Sequence, residues 1–175
     1  MRFQARCYRA HDSRWSFSPL SGAGSAVHGG RFNRKGQRAL YLSLDFAAAV
    51  TEASQGFARR IPPLTLCEYD VDCEPVADLC DRAVRGELHV NETHLAAPWL
   101  SDFKAGRTPS SVRVAERLAK AGYAGLLYPS FAVGAANTSG NLVLWQWGSH
   151  RPAKVILYDP EKRLPRDQSS WPESG

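Results

Sequence analysis

The sequence predicts an α+β fold built as one mixed domain. Two hydrophobic periods carry that prediction. Runs such as "RALYLSL" (38–44) put apolar residues at every second position, as half-buried strands do. "TPSSVRVAERLAKAGY" (108–123) repeats them at three and four, as an amphipathic helix does. The third observation is scale: 175 residues, 43% hydrophobic and 22% charged, suffice for a single buried core. No repeat or linker divides the chain, so the domain is expected over residues 1–159, with a polar, proline-bearing tail over 160–175.

The elements follow in order. "RFQARCYRA" (2–10) reads as an opening strand. "HDSRWSFSPLSGAGSAVHGG" (11–30) is a polar, Gly/Ser-rich loop, and ordered loops of that length are often functional. Its Gly22, Gly24 and Val27 loosely resemble a dinucleotide glycine fingerprint, but no short βαβ unit surrounds them. In "RALYLSL" the residues Leu40, Leu42 and Leu44 share one face and Tyr41 takes the other. Ser43 or Asp45 can cap the next helix by offering an oxygen to its free N–H groups. There Phe46, Ala49, Val50, Ala53 and Phe57 form a stripe, and Glu52 falls roughly 110–120° from its middle, on the flank. "IPPLTLCEYDVD" (61–72) turns at a proline pair and continues as a strand, while 76–88 and 91–100 read as short helices. The helix over 108–123 opens at Pro109 and Ser110, faces inward with Val112, Ala115, Leu118 and Ala119, and closes at Gly122. Strands are expected at 124–130, 141–147 and 153–159, with the loop "FAVGAANTSG" joining the first two.

Twenty-two Lys and Arg against 17 Asp and Glu give +5, a bias compatible with an anionic ligand, nucleic acid or an acidic partner. The N-terminus lacks a signal-peptide run and no stretch is long enough to span a bilayer, which points to the cytoplasm. Cys7, Cys67, Cys73 and Cys80 form no CxxC and read as small buried thiols. Cys73 and Cys80 with His89 and His94 match no familiar zinc-finger spacing, so no metal is expected.

The stretch "HGGRFNRKGQRALYLSLDFAAAVTEA" (28–53) carries the chemistry. Taken singly, its residues have ordinary explanations: Arg31 a loop cation beside Arg34, Lys35 and Arg38, Tyr41 a strand aromatic, Glu52 a helix-surface acid. Ser130 and Asn141 are likewise a turn residue and a strand-entry polar group. Together they suit one ligand. A cation beside glycine-exposed backbone suits a pyrophosphate. An aromatic ring can stack on a cationic heterocycle, and a carboxylate can stabilise a sugar gaining positive charge at its anomeric carbon. Cationic heterocycle, ribose and pyrophosphate together describe NAD+.

"GGRFNRKGQRALYLSLDFAAAVTE", followed by "AGYAGLLYPS" and "GNLVLW", resembles the RES-domain proteins, the toxins of bacterial toxin–antitoxin pairs, over about residues 6–147. The family's Arg, Glu and Ser fall on Arg31, Glu52 and Ser130, its strand tyrosine on Tyr41, and its early Tyr-Arg pair on Tyr8 and Arg9. The resemblance implies a compact fold of the diphtheria-toxin ADP-ribosyltransferase type, with an NAD+ cleft between mixed sheets. It implies that NAD+ is consumed as substrate without a metal, and that a helix-turn-helix, Xre-like antitoxin silences the toxin. The ADP-ribose goes to a protein target, to water or to phosphate. Arg31 would grip the pyrophosphate or its adjoining ribose, and Tyr41 would stack on nicotinamide. Glu52 would stabilise the oxocarbenium-like transition state, with Ser130 orienting it and Asn141 shaping the cleft floor. Gly30, Phe32, Asn33 and Ser43 complete the implied NAD+-contacting set with Tyr8 and Arg9.

One departure bears on the acceptor. Transferases that modify arginine often carry a second Glu two residues before the catalytic one, where this chain has Val50. Two rival readings come from other classes: an RNA-binding or RNase-type toxin using the basic loop 31–38, whose binding would fall steeply with salt, and a non-catalytic module that docks an acidic partner.

Overall fold

The longest pairing joins β1 (Phe3–Asp12) and β3 (Leu64–Cys73), antiparallel over their whole length from Phe3↔Cys73 to Asp12↔Leu64. The computed structural model describes residues 1–54, 63–131 and 140–169. Around this pair a seven-stranded mixed sheet runs in the order β4-β5-β6-β2-β1-β3-β7. Its other strands are β2 (Leu40–Ser43), β4 (Val76–Asp78), β5 (Gly125–Pro129), β6 (Gly140–Leu144) and β7 (Ala153–Leu157). Among the described strands only β4 and β5 pair in parallel.

The sheet is pinched in its middle. β1 and β2 share the single register pair Tyr8↔Ser43, so β4-β5-β6-β2 and β1-β3-β7 behave as two half-sheets meeting at one point. Strand alternation then sorts side chains into two cores. Leu40, Leu42, Leu142 and Leu144 pack with Cys7, Tyr69 and Val71 on one face. Val143 and Leu126 face the other way, against Phe32, Leu79, Leu95 and Leu118. Each such fully buried aliphatic side chain contributes about 1.5–3 kcal/mol of transfer free energy.

The helices are α1 (Ala23–His28), α2 (Phe46–Ser54), α3 (Arg82–Glu87), α4 (Glu92–Leu95), α5 (Trp99–Lys104) and α6 (Ser110–Lys120). α6 forms as its pattern predicts, with Val112, Val114, Ala115 and Leu118 buried, and Gly122 takes φ +90° just past its end, a left-handed turn that a side chain disfavours.

Four expectations are corrected. The 11–30 loop contains the helix α1 and a 3-10 turn at Ser13–Trp15. Residues 76–78 are a strand, because Val76 and Ala77 bury fully against β5, and the helix begins only after Asp81, whose carboxylate accepts from Ala83 and Val84 N–H. Cys80 is exposed while the other three thiols are buried. Finally, α2 is rotated from the expected stripe. Ala48 and Ala49 are its buried residues, whereas Phe46 and Val50 are 58% and 37% exposed; Phe57 lies outside the described residues. Two methyl groups let α2 sit close to the sheet, where the bulkier stripe would hold it away. The cap comes from Asp45, whose carboxylate accepts from Ala48 N–H at 2.9 Å. The rotation matters, since Glu52 follows Ala48 by four and Ala49 by three and so shares their inward face.

Candidate active site

Residues opposed in an antiparallel ladder point to the same side of a sheet. Tyr8 pairs with Ser43, Ser43 with Asn141, and Asn141 with Tyr128. These four therefore form one transverse row across β1, β2, β6 and β5, crossing the pinch, and at the usual strand spacing it spans ~14 Å. α2 lies over this row. A cleft of ≈ 630 Å³ opens there, lined by Tyr8, Ser43, Asn141 and Tyr128 together with Gly30, Arg31, Tyr41 and Glu52. A separate cavity of ≈ 490 Å³ beside Arg38 and Trp147 contains no carboxylate and none of these residues.

Among the described residues that line the cleft, Glu52 is the one acid. Ser130 Oγ and Asn141 Nδ2 each donate to its Oε1 at 2.9 Å. Ser43 Oγ in turn donates to Asn141 Oδ1 at 2.8 Å, which fixes the amide so that its NH2 faces the carboxylate. Ser43 and Asn141 are buried, and Glu52 is half-buried. With both donors on Oε1, Oε2 has no protein donor among the described residues. The arrangement keeps one carboxylate oxygen for a ligand while pinning the other.

Arg31 comes from the glycine loop. Its Nη1 donates to the Leu95 and Ala97 carbonyls at 2.9 and 3.1 Å, and its guanidinium carbon sits 4.5 Å from the Phe131 ring centroid. Burial lowers its pKa from the ordinary value, yet a guanidinium stays charged at any working pH. Among the described residues Nε and Nη2 have no hydrogen-bond partner, so a cation anchored at one nitrogen faces the cleft with the others.

Tyr41 is held from beneath. Its hydroxyl donates to Asn33 Oδ1 at 2.7 Å and accepts from Phe32 N–H at 3.0 Å, and burial pushes its pKa up. Gly30 is required at this contact: a Cβ there would lie 2.6 Å from the Tyr41 oxygen and 2.7 Å from Asn33 Oδ1. The loop thus grips the phenol end and leaves the ring to line the cleft.

Two expected ligand contacts are corrected. Phe32 is fully buried, its ring 4.6 Å from that of Tyr128. Asn33, 1% exposed, spends its amide on Ser25, Arg34 and Gln37 carbonyls and its oxygen on Tyr41. Both build the loop from inside. Arg9 also borders the cleft, but its guanidinium is engaged elsewhere: Nη1 donates to the Pro19 and Ser21 carbonyls, and burial lowers its pKa. It clamps the 16–21 segment, which also receives the Tyr69 hydroxyl at Pro19. Ser130 reaches the site through Glu52 and is not itself among the lining residues.

The basic loop does not act as a unit. Arg31 turns inward, Arg34 pairs with Glu116 and bonds Thr108, and Arg38 lies over Trp147. A continuous phosphate-tracking surface over 31–38, which the RNA reading needs, is not formed by these residues.

Two sets of lining residues escaped the sequence reading. Tyr128 follows from strand parity once Asn141 is placed, because the two are register partners. Trp99 and Leu100, at the cleft edge, are brought there by the α4–α5 turn and carry no local signal.

The model of the RES domain family matches residues 6–167. No curated protein is significantly similar in sequence. Among solved structures, the crystal structure of the M. tuberculosis MbcT–MbcA toxin–antitoxin complex holds a similar chain, with TM-score 0.60, 19% identity, and coverage of 91% of this chain and 84% of that one. At that identity the likeness concerns the fold.

Proposed function

This chain belongs to the RES-domain family, and we propose that it is the toxin of a bacterial type II toxin–antitoxin pair which cleaves the nicotinamide–ribose bond of NAD+. The observation that carries the reading is Glu52, held through Oε1 by Ser130 and Asn141 within the cleft that Arg31 and Tyr41 also line. Bond cleavage sends the glycosidic electron pair to nicotinamide, which departs neutral. The ribose left behind carries oxocarbenium character. Glu52 stabilises that charge with a fixed carboxylate needing little reorganisation. Arg31 binds the pyrophosphate with its unengaged N–H groups, and the Tyr41 ring stacks on the nicotinamide. Tyr8 borders the same site from the other half-sheet. No step requires a metal.

ADP-ribose passes to a protein side chain, making the protein a mono-ADP-ribosyltransferase, or to water or phosphate, making it an NAD+-depleting enzyme. Val50 stands where arginine-modifying transferases often carry a second acid, which disfavours an arginine acceptor. The partner is a helix-turn-helix, Xre-like antitoxin; the structural neighbour was itself crystallised in a toxin–antitoxin complex. Action in the cytoplasm, where NAD+ is found, accords with the proposal. Among the described residues no helix is long and apolar enough to cross a membrane.

The test is incubation of the purified protein with NAD+ labelled in its adenylate half, with and without phosphate and bacterial lysate. Label on a discrete protein band identifies a transferase. Free ADP-ribose or its phosphate identifies an NAD+-depleting enzyme. Intact NAD+ from folded protein under all conditions overturns the proposal.

A further inference from the structure

One polar group in the cleft wall is left over by this mechanism. Tyr128 is 7% exposed and lines the cleft. Its ring is core: it packs on Phe32 at 4.6 Å and stacks beneath Phe131 at 6.4 Å and 19°. A phenylalanine would fill that space equally well. The hydroxyl has no hydrogen-bond partner among the described residues, although those of Tyr41 and Ser43 and the amide of Asn141 are all bonded. Tyr128 borders the cleft, so a ligand bound there can supply the missing partner.

Position identifies that partner. Tyr128 ends the transverse row next to Asn141, which donates to Glu52. Its oxygen lies within electrostatic reach of Tyr41, Glu52 and Arg31. It therefore lies near both the acid assigned to the anomeric carbon and the cation assigned to the pyrophosphate. The part of a dinucleotide joining those two points is the ribose 5′-phosphate of the nicotinamide half. We infer that Tyr128 is a substrate-contacting residue whose hydroxyl donates a hydrogen bond to a ribose-phosphate oxygen of the bound dinucleotide, an inference that rests on the NAD+ reading above. Burial holds the phenol well above its ordinary pKa, so it meets the anionic oxygen as a neutral donor.

The experiment compares Tyr128→Phe with the parent protein and with Glu52→Gln by NAD+ kinetics, ADP-ribose binding calorimetry and thermal melting. The expected result is a roughly ten-fold loss in both kcat/KM for NAD+ and ADP-ribose affinity. Inhibition by nicotinamide should be unchanged, and the Tm equal to the parent's, because phenylalanine keeps the ring packing on Phe32 and Phe131. Kinetics and ADP-ribose affinity within two-fold of the parent would overturn the inference. So would a loss of activity accompanied by a Tm several degrees lower, which would make the hydroxyl structural. Failure of the NAD+ reading is distinguishable, since it appears in the parent protein, as neither NAD+ consumption nor ADP-ribose binding, and it removes the inference with it.

Discussion

Glu52 has the simplest consequence to test. Both of its hydrogen bonds arrive at Oε1, and a glutamine carbonyl oxygen can accept the same two. Glu52→Gln should therefore keep its geometry and its Tm while losing the negative charge. Turnover of NAD+ should fall on the order of 10²–10³-fold, and a folded variant working at the parent rate would remove the acid from the mechanism. Ser43 acts one bond further away. Ser43→Ala leaves Asn141 Oδ1 buried without its donor, at a cost of about 1–3 kcal/mol. It also frees the amide to turn its oxygen toward the carboxylate. The expected outcome is a Tm lower by ~2–4 °C per kcal/mol lost, with kcat reduced roughly ten-fold and KM changed less. Unaltered kcat in a destabilised protein would mean that Glu52 alone orients the amide.

Among the elements, the Gly30–Asn33 turn and α2 decide whether these residues meet. The isolated bridge Gly30↔Asn33 closes the turn on itself, and the Tyr41 hydroxyl enters it from β2. A methyl group at position 30 would press on both the phenol and the Asn33 amide. Gly30→Ala should cost about 1–3 kcal/mol of stability, read as a lower urea midpoint, and weaken NAD+ binding because Tyr41 and Arg31 share that turn. A variant with the parent's midpoint would show that the turn yields. These two elements also mark how far the sequence can be read. Period-two runs made β1, β2, β5, β6 and β7 legible, and the family resemblance singled out Arg31, Tyr41 and Glu52, which line one cleft. The rotation of α2 was hidden because hydropathy favours Phe46 and Val50 as its buried side, whereas close approach to a sheet favours Ala48 and Ala49. Phe32 and Asn33 stand beside cleft-lining residues in the chain, yet their side chains are drawn into the core or the turn's interior. Long-range pairing of that kind leaves no local period.

For the whole molecule, the pinched sheet is the governing feature. Extensive ladders bind β1 to β3 and β2 to β6, but one register pair joins the two halves at Tyr8↔Ser43. The cleft lies over this join, with Tyr8 from one half and Ser43, Asn141 and Tyr128 from the other. A ligand lying along the row would add contacts where the sheet has fewest, and so should bind the native state and not the unfolded chain. Such binding raises stability by RT ln(1 + [L]/Kd), about 2.7 kcal/mol at a hundred-fold excess over Kd, which corresponds to a rise of ~5–10 °C in Tm for a domain of this size. The measurement belongs on Glu52→Gln, which should bind NAD+ without consuming it, so that ligand concentration holds through the scan. Adding Arg31→Ala to that background should remove most of the rise, because the pyrophosphate loses its cation. A Tm unmoved by millimolar NAD+ in the folded Glu52→Gln protein would mean that the cleft does not hold the dinucleotide across the join. An equal rise with and without Arg31 would place the pyrophosphate elsewhere in the cleft.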